Sequence, residues 1–306
     1  MLAKRDWVRR HADHLRRALL FEPRGHRDLC AAILTEPTAS TSHAGVLFMD
    51  GNGVSTMSGH GVIAVTTIAL ERSLIVPGGD GASLVLDTPA GTVRARATVR
   101  RDDSGHYPRV AAVAFANVPS FVLQGGLTVA VGHRTVRADV AFGGAFYAIV
   151  DSEALGLPLD AAHLPELRRA GVAVARAIDA AHRVAHPLEP GLKGISGTIF
   201  TAAPNDERAG LRSVTIVGDG RADRSPSGTG TAAVMAVLDA MGLLGTDAPF
   251  VHESMIGTHL VGRVLERTTV GDTPAIIPEI EGAAWVTGDH AFSIDEDDPL
   301  AWGYRV

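Results

Sequence analysis

Cysteine is nearly absent from this 306-residue chain: Cys30 is the single one, so no internal disulfide can hold the fold. That scarcity fits a reducing compartment, and we expect a cytoplasmic protein. Cys30 sits in the apolar run Leu29-Cys30-Ala31-Ala32-Ile33-Leu34 and reads as a small buried hydrophobe rather than a reactive thiol. Aromatic residues supply only 5%, against 34 glycines and 16 prolines, which favours many short strands joined by tight turns over long packed helices. No apolar stretch approaches the roughly 20 residues that a membrane helix needs, so no membrane partner is expected. Nor is there a basic stripe to track a phosphate backbone: the net charge is −6, which argues against nucleic acid. What remains is an ordinary globular composition, 46% hydrophobic and 20% charged. The length suits two lobes of about 150 residues.

The N-terminal stretch from Trp7 to Leu20 sets Arg9, Arg10, Arg16 and Arg17 beside Leu15, Leu19 and Leu20, the pattern of an amphipathic surface helix. Asp6 and Asp13 argue against a transit peptide. Residues 44–150 read as strands and hairpins. Val46-Leu47-Phe48-Met49 runs into the turn signal Asp50-Gly51-Asn52-Gly53, and further strands are expected at Ser83–Leu86, Val93–Arg100, Val110–Ala116, Leu127–Val131 and Ala138–Val150. A helix follows from Leu164 to Arg183, stopped by Pro187. Strands near Gly197–Ala202 and Leu211–Val217, a helix near Thr231–Leu243 and strands between Ser254 and Phe292 complete the pattern. The acidic run Asp295-Glu296-Asp297-Asp298 lacks alternating calcium-ligand spacing and reads as a solvated turn.

One motif occurs twice. Ser58-Gly59-His60-Gly61-Val62-Ile63-Ala64-Val65 matches Ser227-Gly228-Thr229-Gly230-Thr231-Ala232-Ala233-Val234 as S-G-x-G-x-x-A-V, about half the chain apart. In each copy a glycine-rich turn leads directly into an apolar helical pattern. Such a turn leaves backbone N–H groups pointing out of the helix start, where the macrodipole adds positive charge, and together they favour an anion such as a carboxylate. Two such ends, each with a serine, could grip a small carboxylate and flank its α-carbon for proton transfer.

The residues around the two copies resemble the proline racemase superfamily. Met57-Ser58-Gly59-His60-Gly61 is similar to the family's M-C-G-H-G segment, and Asp223-Arg224-Ser225-Pro226-Ser227-Gly228-Thr229-Gly230-Thr231 to its D-R-S-P-C-G-T-G-T segment. Supporting pieces lie in family order: Glu22-Pro23-Arg24-Gly25-His26, Asn117-Val118-Pro119-Ser120-Phe121, Ala141-Phe142-Gly143-Gly144-Ala145-Phe146-Tyr147, Glu253-Ser254-Met255-Ile256-Gly257 and Asp298-Pro299-Leu300. The resemblance implies an α+β fold like that of diaminopimelate epimerase: two pseudo-symmetric lobes, each a curved sheet around a central helix. The first lobe would be 1–117 with 293–306 and the second 118–292, with the active-site cleft between them. It implies that Ser58 and Ser227 transfer protons, that Gly59, His60, Gly228 and Thr229 bind the substrate carboxylate, and that Asp223 binds the ring nitrogen. No metal or other cofactor is implied, and the partner is a small amino acid; a homodimer is compatible with the sequence.

The chain departs from the family pattern in two ways. Racemases and 4-hydroxyproline epimerases typically carry cysteine at both proton-transfer positions, whereas serine stands at both here. A thiolate at a helix start is accessible at neutral pH; a serine hydroxyl is a weak base without a helper. Trans-3-hydroxyproline dehydratases, which replace one cysteine by a hydroxyl residue, are more similar. His60 is the nearest helper in sequence, but it reads as a helix-start residue offering its N–H. The chain also begins at the first helix, without the family's opening strand and its H-T-x-G-x-P-like segment: either the start is misassigned, or the first lobe lacks that strand and an incomplete cleft wall or sheet edge is expected. A serine hydrolase is disfavoured because Thr56 and Ser225 stand where the nucleophile elbow needs glycine. His182 and His186 have helical i,i+4 spacing but no evident third ligand for zinc. We therefore expect a cofactor-independent enzyme acting at the α-carbon of a proline-type amino acid, foremost a trans-3-hydroxy-L-proline dehydratase. The alternatives are a 4-hydroxyproline 2-epimerase or proline racemase, or an inactive homologue that still binds imino acids.

Overall fold

The computed structural model describes residues 1–76, 82–100, 109–132, 134–218, 220–245 and 248–305. The chain is of the α+β class and divides into two compact units, Met1–Val113 with Ala283–Val306, and Ala114–Gly282.

The first unit opens with α1 (Leu2–His11) and α2 (Asp13–Leu20), where the sequence suggests one continuous helix. The break is at Ala12, whose φ of −129° and ψ of 15° leave the helical region. Asp13 then takes the first turn of α2, a favourable place for a carboxylate, and receives Arg16 at 2.7 Å. The buried Arg16 also donates to the carbonyls of Asp50 and Gly51, at 2.8 and 3.0 Å, tying α2 to a turn of the sheet.

That sheet comprises β1 (Ala31–Thr35), β2 (Ala44–Asp50), β3 (Gly53–Ser55), β4 (Ser83–Thr88), β5 (Gly91–Arg100) and β6 (Arg109–Ala116), the last leading into the second unit. Its order is β1-β2-β4-β5-β6, with β3 folded back on β2 through the expected Asp50–Gly53 turn. Cys30, just before β1, is half-buried rather than buried. Between β3 and β4 lies α3 (Gly59–Glu71), so β2 and β4 pair in parallel across a helical crossover. The sequence of α3 is rich in β-branched residues and a poor helix former by itself. Burial of Val62, Ile63, Val65, Thr66, Thr67, Ala69 and Leu70 is what holds it, since helices in proteins draw their stability chiefly from packing.

The C-terminal segment returns to this unit without the strands expected up to Phe292. The last strand ends at Gly282, and the following residues are largely exposed. Side chains and one backbone bridge fix them: Arg24 donates to the carbonyls of Ser293 and Ala301, Arg72 pairs with Asp289 at 2.7 Å, and the Tyr304 N–H donates to the Glu22 carbonyl at 3.0 Å. The acidic run forms a turn, with the N–H of Asp297 donating to the Asp295 carboxylate.

The second unit contains β7 (Ser120–Val131), β8 (Arg134–Phe142), β9 (Phe146–Asp151), α4 (Leu164–Ala181), β10 (Ile195–Ala202), β11 (Leu211–Val217), β12 (Arg221–Ala222), α5 (Gly228–Ala240), β13 (Phe250–Ser254), β14 (His259–Val270) and β15 (Thr273–Gly282). The expected strand Ala138–Val150 is thus a hairpin, broken at Gly143-Gly144. Pairing runs β15-β14-β13-β11-β10-β9-β8-β7 and closes through Ala275↔Phe121 and Ile276↔Ser120 between β15 and β7. A closed circuit removes exposed strand edges.

Helix α4 buries one face, Leu167, Gly171, Val174 and Ile178, in a core with Phe121, Val140, Phe142, Phe146, Phe200 and Ile216. It stops at His182, which is extended, so His182 and His186 share no helical face. His186 instead accepts the N–H groups of Leu188 and Glu189 at Nδ1. Helix α5 differs: Gly228 through Val237 are all buried. It is the crossover between parallel β11 and β13, so β11-β12-α5-β13 repeats the connectivity of β2-β3-α3-β4. The sequence echo is therefore also an echo of topology.

Candidate active site

Ser58 caps α3. Its backbone is extended, and its hydroxyl oxygen accepts the Gly61 N–H at 3.2 Å while its carbonyl accepts the Val62 N–H at 2.9 Å. Gly59 and His60 are the first two residues of the helix, where backbone N–H groups point out of its start. No acidic residue lies in the first turn to offset the dipole. Glycine is required at position 61, because a Cβ there would stand 2.7 Å from the Phe48 ring. The helix start is thereby pressed onto β2.

Ser227 caps α5 with the same bond, its hydroxyl oxygen accepting the Gly230 N–H at 3.2 Å, and its carbonyl accepts the Thr231 N–H at 2.7 Å. Gly228 and Thr229 hold the two outward N–H positions, and again no acid lies in the first turn. The backbone at Ser227 is unlike that at Ser58: φ is +62°, one of two positive-φ non-glycine residues among those described. Its surroundings over-determine that conformation. The Asp223 carboxylate accepts both the N–H and the hydroxyl of Ser225, at 3.0 and 3.1 Å, and the Ser225 hydroxyl oxygen accepts the Ser227 N–H at 3.1 Å. Behind the turn, the Thr231 hydroxyl donates to the Pro226 carbonyl at 3.4 Å and is hydrogen-bonded to Nδ1 of His252 at 2.9 Å. His252 is fully buried, and burial pushes its imidazole down to about 3, so the ring is neutral at physiological pH.

Two supports come from residues the sequence left without a role. Gly143 lies so close to α5 that a Cβ would meet the Thr229 carbonyl at 2.2 Å, and the Asn117 side chain donates to the Gly143 carbonyl at 2.8 Å. Tyr147, on β9, places its hydroxyl 2.7 Å from Thr229 Oγ1. Burial raises the Tyr147 phenol, opposed chiefly by the bond with Thr229. The phenol is therefore protonated at neutral pH. The sequence signal was faint: Tyr147 is one hydroxyl in the apolar run Phe146–Val150, and His252 one of three polar residues in β13. Among the described residues no group of three or more His, Cys, Asp or Glu could hold a metal ion.

Of the expected residues, Ser227, Gly228, Thr229 and Asp223 come together at one end of α5, and Ser58, Gly59 and His60 at the start of α3. Because the Thr229 hydroxyl is committed to Tyr147, that residue can offer a ligand its backbone N–H.

The sequence profile of the family described as Proline racemase matches residues 1–305. Trans-3-hydroxy-L-proline dehydratase of Bacillus thuringiensis subsp. konkukian is 41% identical over 305 residues, 100% of this chain and 90% of that protein. The 4-hydroxyproline 2-epimerase of Streptosporangium roseum is 42% identical over 307 residues, with the same coverage. Among solved structures, a hydroxyproline epimerase from Agrobacterium vitis with bound trans-4-hydroxy-L-proline superposes with a TM-score of 0.89 at 31% identity, covering 99% of this chain and 86% of that one. A probable proline racemase from Agrobacterium radiobacter, with bound carbonate, gives a TM-score of 0.90 at 31% identity, covering 99% and 88%.

Proposed function

The chain belongs to the proline racemase family, and from that premise we propose that it removes the α-proton of a free proline-type amino acid, foremost trans-3-hydroxy-L-proline. The observation that carries this reading is the duplicated helix start, each with a serine hydroxyl fixed by the third helical N–H and two outward N–H groups beside it. In this reading the N–H groups of Gly59, His60, Gly228 and Thr229 hold the substrate carboxylate. They stabilise the enolate-like charge that develops when the α-proton leaves. Asp223 holds the ring N–H. Ser58 and Ser227 serve as the proton-transfer pair: the α C–H bond breaks to one of them, which enters as its alkoxide, and the other gives its proton to the departing 3-hydroxyl and is left as the alkoxide; proton exchange with solvent restores the pair. Water leaves, and the resulting enamine tautomerises to Δ1-pyrroline-2-carboxylate. The lone cysteine, free of any disulfide role, fits work in the cytoplasm.

Epimerisation is the second reading. It is favoured by the equal capping distance at both serines, 3.2 Å, and by the 42% identity to a 4-hydroxyproline 2-epimerase. Proton NMR in deuterated water, with proline, 4-hydroxyproline and trans-3-hydroxyproline in turn, tests both. The expected result is loss of the α-proton signal of trans-3-hydroxyproline with growth of the pyrroline spectrum. Epimer signals from 4-hydroxyproline would favour the second reading. Three unchanged spectra at high protein concentration would refute catalysis on this class, and thermal stabilisation by the same compounds would then identify a binding homologue.

A further inference from the structure

The turn before α5 contains a third serine, to which the proton-transfer scheme gives no task. Ser225 is half-buried, two residues after Asp223 and two before Ser227. The direction of its hydrogen bonds is forced. The Ser227 N–H can only donate, so the Ser225 oxygen accepts it, at 3.1 Å. The Asp223 carboxylate can only accept, so the Ser225 hydroxyl gives it the proton, also at 3.1 Å. The Ser225 N–H reaches the same carboxylate oxygen at 3.0 Å and clamps the serine from a second side. One oxygen atom thus links Asp223 to the backbone of Ser227. Ser227 needs that link, because it is buried at a φ of +62° and an unpaired buried N–H is costly. The arrangement belongs to one half of the echo. In the register of the repeated motif, Thr56 stands where Ser225 does and Val54 where Asp223 does, and a valine side chain accepts nothing. Ser58 keeps an extended backbone, φ −145°.

We propose that Ser225 is a positioning residue that couples Asp223 to Ser227, its hydroxyl setting the backbone of the proton-transfer serine by the place of the carboxylate that takes the ring nitrogen. The proposal rests on the roles given to Asp223 and Ser227 above. Seating the ring nitrogen on Asp223 and aiming Ser227 at the substrate are then one event, because a shift of the carboxylate passes through a single oxygen to the Ser227 N–H. Misplacing a reacting group by about 1 Å can cost about 100-fold in rate, so the link matters to turnover more than to binding. The same bond turns the Ser227 N–H toward Ser225 and leaves Gly228 and Thr229 to offer theirs to the substrate carboxylate.

The first test needs no substrate: hydrogen exchange at the Ser227 amide, followed by NMR. In the unaltered protein this amide should exchange at least about 100-fold more slowly than an exposed one. Exchange at the exposed rate overturns the proposal without recourse to any variant that fails to fold. Ser225→Ala should speed exchange by about tenfold or more, and Asp223→Ala should do the same through the serine it holds. With the route already cut by Ser225→Ala, adding Asp223→Ala should change the rate less than about threefold. A further tenfold rise in the double variant, or no rise with Asp223→Ala alone, overturns the coupling.

The second test is catalytic. Ser225→Ala should lower kcat by about 10- to 100-fold with KM changed less than about threefold, the mark of a reacting group out of place rather than a lost binding contact. Ser225→Thr, which keeps one donor and one acceptor, should return kcat to within about threefold of the unaltered protein. Full activity in Ser225→Ala, or a rise in KM at unchanged kcat, overturns the proposal. Should the unaltered protein turn over none of the three imino acids, the functional reading fails by itself, and the exchange rates still decide whether Ser225 links Asp223 to position 227.

Discussion

His252 makes the acid stability of the α5 start a measurable quantity. The folded ring is neutral down to about pH 3, whereas in the unfolded chain it takes up a proton near its ordinary value of 6.5. Between those limits the unfolded state binds one more proton than the folded state. Stability contributed by this residue is therefore fully present above pH 6.5 and is lost as pH falls, by about 1.4 kcal/mol per unit. From pH 7 to pH 5 the loss is about 2 kcal/mol, a large share of the stability of an ordinary domain. His252→Asn removes the titration while keeping a polar atom near the place of Nδ1, which pairs with the Thr231 hydroxyl. At pH 7 the variant should be the less stable, by about 1–2 kcal/mol for a weakened buried hydrogen bond. By pH 5 the gap should close or reverse. Urea unfolding of both proteins at pH 7, 6 and 5 measures this, because the other titrating groups are common to both. A stability difference that stays constant across that range would refute the claim that His252 is buried as the neutral ring.

The two capping serines should answer the same substitution oppositely. Ser227→Gly relieves a positive φ worth about 1–3 kcal/mol and is expected to raise the melting temperature while abolishing turnover. Ser58→Gly has no strain to relieve at φ −145° and should cost about 1 kcal/mol; shifts of equal sign and size would contradict the strain argument. Gly143→Ala drives a methyl to 2.2 Å from the Thr229 carbonyl and should destabilise by about 1–3 kcal/mol. The folded fraction of that variant should also lose activity, because the clash moves the helix start; full activity in a correctly folded variant would show that the start tolerates displacement.

The sequence by itself determined the strand-rich character, the echo of S-G-x-G-x-x-A-V and the family to which the chain belongs. Each is written in short-range chemistry: glycine where a side chain would collide, serine where a helix needs a cap, apolar residues where a helix must be buried. The Asp50–Gly53 turn formed where Asp-Gly-Asn-Gly stands, since its conformation depends on few neighbours. What local pattern could not decide were places where distant residues compete. The helix expected from Trp7 to Leu20 breaks at Ala12, with Arg16 committed to the carbonyls of Asp50 and Gly51. The strands expected to continue beyond Gly282 to Phe292 do not form, and Arg24 and Arg72 hold that stretch by side-chain bonds. His182 and His186 have the spacing of paired ligands, yet the helix ends at Ala181, before both of them.

Only the tertiary structure decided how Ser227 is surrounded. Tyr147 and Thr229 are 82 residues apart in sequence and 2.7 Å apart in space, and no periodicity announces such a pair. The same holds for His252, 21 residues beyond the threonine it holds. A hydrogen bond between remote side chains depends on which strands become neighbours, and β9, α5 and β13 are brought together by two parallel crossovers. Local chemistry sufficed to place the serines at helix starts; long-range packing alone determined which groups stand behind one of them.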